Sequence, residues 1–404
     1  MKSKINKNYL ALSSSLAISK TGDYAHEVVF ALIVIELLRE NYLLIGVVYF
    51  FRFVPFIFFG PIGGWLADRY PLKNTMVYSE LLRLVASVSL LFLYEYDALN
   101  LVSMIACTLV ITVGRSIFQP SFQSCVPKLF RENSLIRINS SFQMIDQIAS
   151  IAGPLLCSLL IVSVGKQGVL IFDSLTYVVS MAALLMLTQA KAEGSLRPAF
   201  SVASIFKETW ANIQFLRWHS RDLFASIIGS ALCILFTASL LRYVLPAFVI
   251  FKGGTEVEVS YIFAALAFGT VVGSLLYARF SVIRSPSSLM KWWMAYGAVF
   301  ILLACTINLS ISLSYGISFV LGGCGAFVDI SIVSLIQALS GKQDIGKNFG
   351  LFSTLANTGE AASGLIYGFF ALGGVFASFI MMASLISLSA MLMLRNMRRG
   401  ESPK

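Results

Sequence analysis

The feature that most constrains this chain is a succession of about a dozen long apolar stretches running from end to end. A helix needs roughly 20 apolar residues to cross a bilayer. Spans are expected at 9–36, 43–67, 75–95, 99–123, 139–163, 168–189, 222–250, 259–280, 289–309, 312–338, 347–370 and 373–394. With short connections these use up almost all of the 404 residues. Only 12% of the residues are charged, against about 25% in a soluble domain. No long hydrophilic segment remains for a soluble enzyme domain.

The net charge of +10 reads as topology. Of 30 Lys and Arg, 22 fall on segments that share a side with the N-terminus, from Lys2, Lys4 and Lys7 to Arg395, Arg398 and Arg399. Three (Arg39, Lys166, Lys252) fall on the opposite side and five within spans. This positive-inside bias puts both termini in the cytoplasm and requires an even number of spans. It argues against a nucleic-acid partner. The basic start imitates a signal peptide, but the apolar run behind it is long, broken by charge and without a clear cleavage site, so it reads as a retained first helix. The six cysteines show no metal-ligand spacing. They read as small buried hydrophobes. Neither a metal nor a cofactor is expected.

The longest polar stretch, Gln189 to Asp222, divides the chain into halves at 1–189 and 222–404, with a linker at 190–221. Within it Ile205, Phe206, Trp210, Ile213 and Leu216 recur at helical spacing opposite Lys207, Glu208 and Arg217. That pattern fits an amphipathic helix on the cytoplasmic face, or simply an ordered linker. The halves also read as a weak repeat. Phe122-Gln123 leads through a basic loop to Gly153-Pro154, and Ile336-Gln337 leads through Lys342 and Lys347 to Gly364.

Gly64-Trp65-Leu66-Ala67-Asp68-Arg69-Tyr70-Pro71-Leu72-Lys73 follows the second span. It resembles the loop signature of the major facilitator superfamily, which lies between the second and third helices on the cytoplasmic side. Pro71 and Leu72 replace the second glycine and the following arginine of that pattern. Other segments are similar to one branch, the macrolide-efflux and enterobactin-exporter-like proteins. They are Ser19-Lys20-Thr21-Gly22-Asp23, Gly114 to Pro120, Val126-Pro127, Asn139-Ser140, Gly153-Pro154, Phe172 to Leu175 and Ile205 to Asp222. The resemblance implies an all-α integral membrane fold of twelve transmembrane helices in two six-helix halves. It also implies a monomer in a bacterial inner (plasma) membrane. Gly64, Asp68, Arg69 and Lys73 would act as a conformational switch, with Asp68 accepting hydrogen bonds from a neighbouring helix N-terminus and Arg69 pairing with a carboxylate. Gly153-Pro154 is similar to the antiporter motif of the fifth helix.

Charge at membrane depth costs roughly 2.5–3.5 kcal/mol per group, yet the first span keeps Lys20, Asp23, His26 and Glu27. Such a helix is expected to line a watery or protein-packed interior. Asp23 and Glu27 are four apart, on one helical face, and a Lys20–Asp23 pair within the helix is plausible. Arg52 lies at a depth reachable from Glu27. Arg115 and Asp146 are candidates for a cytoplasmic-side pair that holds the bundle. Asp329 and Glu360 lie within the tenth and eleventh spans, with Arg242 the only cation of the C-terminal spans. A carboxyl buried without a partner takes up its proton nearer neutrality, which suits a coupling group. Glu360 leads that choice because it has no obvious local cation; Asp23 and Glu27 follow. His26 reads as a proton relay or as hydrogen-bonded packing, and Asp173 as structural, near the outer surface. Phe50, Phe51, Phe53, Phe56, Phe58 and Phe59 either line a pocket for a bulky compound or pack against lipid and helices.

These observations point to a secondary active transporter, a proton-coupled exporter of a bulky amphipathic small molecule such as a drug or siderophore, driven by the proton gradient. The substrate would bind near the bilayer midplane between the halves. A lysophospholipid or a small metabolite is the alternative cargo. A membrane-embedded enzyme is the distant alternative, since no His-x-x-x-Asp or His-Glu-x-x-His is present among only two histidines.

Overall fold

The computed structural model describes residues 2–38, 42–188, 201–280, 285–371 and 373–400. The described residues are almost wholly helical. In order the helices are α1 (Lys2–Leu38), α2 (Tyr42–Arg69), α3 (Leu72–Glu95), α4 (Leu101–Leu129), α5 (Leu135–Val164), α6 (Lys166–Leu185) and α7 (Val202–His219). Then follow α8 (Arg221–Ser239), a π turn (Leu240–Val244), α9 (Leu245–Phe251), α10 (Glu256–Phe280) and α11 (Pro286–Leu309). The last are α12 (Ile311–Leu339), α13 (Ile345–Ala371) and α14 (Val375–Gly400). The expected spans each overlap one helix of this series, except 222–250, which covers α8, the π turn and α9. Among the described residues ten helical segments are long and apolar enough to cross a membrane. The segment Arg221–Phe251 counts as one of them, and α1 and α13 are not among them.

Local chemistry sets the helix ends. Asn100 and Ser103 form a reciprocal capping box at the start of α4. Ser285 caps α11 by accepting from the Ser288 N–H. Between α2 and α3 the turn is made without the signature's second glycine. Pro71 sits at φ −58° as the N-cap of α3, and its carbonyl accepts the Thr75 N–H at 3.1 Å. The fixed ring torsion of proline suits that position.

Contacts divide the chain into two compact units. The first comprises Met1–Glu132, Ile145–Lys207 and Gly341–Thr354. In it α1 packs on α6, α3 on α4 and α6, and α2 on α4. Val29, Phe30, Ile33, Leu90, Met104 and Val169 form part of its core. The start of α13 also belongs to this unit, and it lies on α2 through four glycines. A Cβ on Gly64 would overlap the carbonyl of Gly346 and press on Gly350, and one on Gly350 would press on Gly60 and Gly64. Two small-x-x-x-small pairs thus let the backbones approach closely.

The second unit comprises Asn133–Met144, Glu208–Ser340 and Leu355–Lys404. There α10 packs on α12, and α11 on α12 and α14. Gly269 and Gly322 leave no room for a Cβ against the facing helix. The Trp293 indole donates to Ser230 at 3.0 Å. The start of α5 is held here by Asn139, whose amide donates to Ser334 at 2.9 Å and to Gln337 at 2.8 Å.

The helix expected in the linker is α7. Its apolar residues Ile205, Phe206, Trp210, Ile213 and Leu216 fall on one arc of the helix, about 140° wide at 100° per residue, and differ in burial along it. Ile205 is buried against Ile62 and Trp65, and Leu216 is buried too, whereas Trp210 is 62% exposed. The preceding linker residues 189–200 lie outside the described residues, as does Arg39. On α2, Phe50 and Phe58 point outward while Phe56 is buried. That split fits aromatic residues facing lipid or packing into helices better than one shared pocket.

Candidate functional site

The interior of the first unit carries a polar stripe along α1. Ser15, Ser19, Asp23 and His26 follow at intervals of three or four residues, so they share a helical face. That face meets α3 and α6. Arg83 of α3 pairs with Asp23, and its Nη1 also reaches Glu80 Oε2 at 3.1 Å and Ser19 Oγ at 3.3 Å. Its guanidinium lies 4.5 Å over the Tyr177 ring, and the Tyr177 hydroxyl donates to Asp23 at 3.2 Å. Glu80 accepts from Ser180 at 2.8 Å, and Ser180 lies 2.7 Å from Ser15. Glu80 and Arg83 are buried. A forked guanidinium shared by two carboxylates is the geometry in which arginine tolerates burial.

One turn along, His26 Nδ1 lies 2.8 Å from Asp173 Oδ2, and Ser87 donates to the same oxygen at 2.8 Å. Asp173, expected as a structural residue, lies in the first half of α6. It has no exposed surface and lies in the polar core of this unit. His26 is hydrogen-bonded, as one of its two readings held, and stacks on Phe30.

Two expected pairs are replaced. Lys20 does not pair with Asp23, and Arg115 does not pair with Asp146. Instead Lys20 Nζ reaches Asp146 Oδ1 at 2.8 Å, and the Tyr24 hydroxyl donates to Asp146 Oδ2 at 3.3 Å. The reason is backbone proximity. A Cβ on Gly153 would overlap α1 at Thr21 and Tyr24, so α5 comes close enough for its carboxylate to take the lysine. Pro154 follows in the same helix. Arg115 lies instead in the field of Asp23 and Glu27. Glu27 and Arg52 are 3.4 Å apart, the pairing their depths suggested.

In the second unit Arg242 Nη2 contacts Glu360 Oε2 at 2.8 Å. Glu360 therefore has a local cation, and the ground on which it led the coupling candidates is removed. Arg242 sits on the π turn, which redirects side chains relative to a regular helix. Neighbouring Tyr243 stacks on Tyr367 of α13. Asp329 accepts from the Gln143 amide at 3.0 Å.

The loop signature places its residues at three contacts. Asp68 accepts the N–H of Gly346 at 2.6 Å on Oδ1 and that of Lys347 at 2.8 Å on Oδ2. Those are free amides of the first turn of α13, where the helix dipole favours an anion. Lys73 donates to the carbonyls of Leu185 and Leu187, capping the C-terminal end of α6. Arg69 stands 4.8 Å over the Trp65 ring, a cation–π contact that the reading of a carboxylate partner did not include. Sequence reasoning passed over Glu80, Arg83 and Gln143. The Glu80-x-x-Arg83 spacing inside an apolar span was the available signal for the first two.

A profile of the Major Facilitator Superfamily matches residues 12–364. Macrolide efflux protein A of Enterococcus faecalis is 24% identical over 232 residues, covering 56% of this chain and 70% of that protein. The Streptococcus pyogenes protein of the same name matches at the same identity, and the match spans 56% of its length. The crystal structure of the human organic anion transporter MFSD10 (TETRAN) superposes with a TM-score of 0.79 at 14% identity, covering 96% of this chain and 99% of that one. At that identity the likeness shows the fold alone. A multi-pass helical chain with this loop signature and this profile belongs to the Major Facilitator Superfamily of membrane transporters.

Proposed function

We propose that this protein is a proton-coupled exporter of a bulky amphipathic small molecule, working by alternating access in a bacterial plasma membrane. The observation that carries the reading is the set of carboxylates in the helices of the first unit: Asp23, Glu27, Glu80, Asp146 and Asp173. Ionisable groups at membrane depth are costly, and they mark ion and proton pathways. Likeness to macrolide efflux proteins supports export and an amphipathic drug-like cargo; a siderophore has comparable size and character. Asp68 serves as the conformational latch in this reading. Its two bonds to α13 are made in one state and released in the other.

Everted vesicles from cells producing the protein test the reading. Erythromycin should accumulate when the lumen is acidified and should leave when nigericin collapses the pH difference. Accumulation equal to that of vesicles lacking the protein, for erythromycin and for catechol siderophores alike, overturns the assignment of cargo. Accumulation that survives nigericin overturns proton coupling.

A further inference from the structure

Resting on the reading of proton coupling, we propose that the His26–Asp173 pair is the proton-binding site, holding one exchangeable proton between α1 and α6. The argument starts from charge balance. The helices of the first unit carry the buried or mostly buried carboxylates Asp23, Glu80, Asp146 and Asp173, and Glu27, whose side chain is 50% exposed. They hold four permanent cations: Lys20, Arg52, Arg83 and Arg115. Glu36 and Lys166, at the helix ends, pair with each other at 2.6 Å and leave the balance unchanged. With Glu27 counted, this set is neutral only when it holds one further proton. An uncompensated buried charge is strongly unfavourable, so that proton has a defined home.

Geometry selects the home. Asp23 and Glu80 share Arg83; Asp146 has Lys20; Glu27 has Arg52. Asp173 has no lysine or arginine in salt-bridge contact. Its partners among the described residues are the His26 ring and the hydroxyl of Ser87, both on Oδ2. Its other oxygen, Oδ1, is buried without a hydrogen-bond partner. The carboxylate is thus compensated when the facing imidazole is charged and left bare when the imidazole is neutral. Tyr177 of α6 and Asp23, Glu80 and Arg83 on the neighbouring turns complete the charged and titratable surroundings.

The step is a simple one. A hydronium ion or a buffer acid gives its proton to the neutral ring, one N–H bond forms, and the imidazolium–carboxylate pair results. Release reverses it with no other bond changed. The pair is reached through the histidine, since its side chain keeps 8% exposure while that of Asp173 keeps none. Ser87 is bonded in turn by Ser174 at 3.1 Å, which fixes the carboxylate for the exchange.

Only two histidines occur in the chain, so the site can be read directly. The full-length protein, 15N-labelled at histidine and reconstituted in nanodiscs, gives two ring signals, and His219→Ala assigns them. The ring of His26 should show both its charged and its neutral signal as the pH is varied, and Asp173→Asn should change the ratio of the two by about tenfold at fixed pH. In vesicles, His26→Gln and Asp173→Asn should abolish accumulation of erythromycin driven by a pH difference at equal protein levels. A ring that stays in one state as the pH is varied, a ratio unmoved in Asp173→Asn, or accumulation like the wild type in both variants overturns the site. If the wild type itself accumulates no erythromycin under a pH difference, the exporter reading fails. The ring titration then decides the proton site alone. His26→Gln keeps a polar side chain of similar reach, so the test stands even where Asp173→Asn fails to fold.

Discussion

Asp68 and Gly346 are 278 residues apart in the chain and 2.6 Å apart in space, carboxylate to amide. With the neighbouring bond to Lys347, both oxygens of one side chain serve the free end of one helix. Each hydrogen bond to a charged acceptor contributes about 1.5–3 kcal/mol. Asp68→Ala should therefore speed hydrogen exchange at the Gly346 and Lys347 amides by about tenfold or more. Asp68→Asn should do little better, because it turns an NH2 group toward one of the two donors. Mass-resolved exchange over residues 345–350 checks both; unchanged protection in Asp68→Ala refutes the latch.

The glycine contact between α2 and α13 predicts a steric effect with a built-in control. Gly64→Val places side-chain atoms where the Gly346 carbonyl and Gly350 lie, and overpacking of this kind costs about 1–3 kcal/mol. Gly316→Ala meets nothing within 4 Å and should leave thermal unfolding of the purified protein unchanged. Equal melting temperatures for the two variants would contradict the close approach.

Arg83 compensates two carboxylates at once. Arg83→Met should destabilise the protein by about 3–5 kcal/mol, the effect of leaving buried charge unpaired. Adding Glu80→Gln should restore part of that loss, since one of the two orphaned anions is then neutral. A double variant no more stable than Arg83→Met, followed by thermal unfolding in detergent, would show that the guanidinium acts through packing on Tyr177 and not through charge.

The Arg242–Glu360 pair differs in exposure: its side chains are 42% and 34% exposed. An ion pair this open contributes about 0–1 kcal/mol. Glu360→Gln and Arg242→Gln should therefore leave the melting temperature nearly unmoved. If the pair has a part in transport, efflux of the proposed cargo from cells falls in both variants at equal protein levels. Efflux equal to the wild type would leave the pair as surface chemistry.

Much of the architecture was legible because a bilayer demands long apolar runs, and those survive any uncertainty of packing. The helix-end contact of Asp68 was legible too, since a carboxylate in a known loop signature invites a helix N-terminus. The pairings of the buried charges were not. Lys20 and Asp23 are neighbours along a helix, but which helix each side chain faces depends on glycines such as Gly153 that bring distant segments together. Local spacing carries no trace of that. Glu80 and Arg83 were overlooked because two charges in an otherwise apolar span read as noise until a third, Asp23, is seen opposite them. Glu360 was misjudged for the converse reason: its cation lies 118 residues away in sequence.

The π turn at Leu240–Val244 has a mechanical meaning. An α-helix advances about 100° per residue, so one surplus residue in a turn throws everything beyond it out of phase with everything before. Arg221–Ser239 and Leu245–Phe251 are thus two rods joined by a slipped gear tooth. Moving that defect along by one position would turn a new side chain toward α13 in place of Arg242, without lengthening the rod or unthreading it from its neighbours. In a helix built this way, the turn that carries Arg242 is also the place where its surface changes phase.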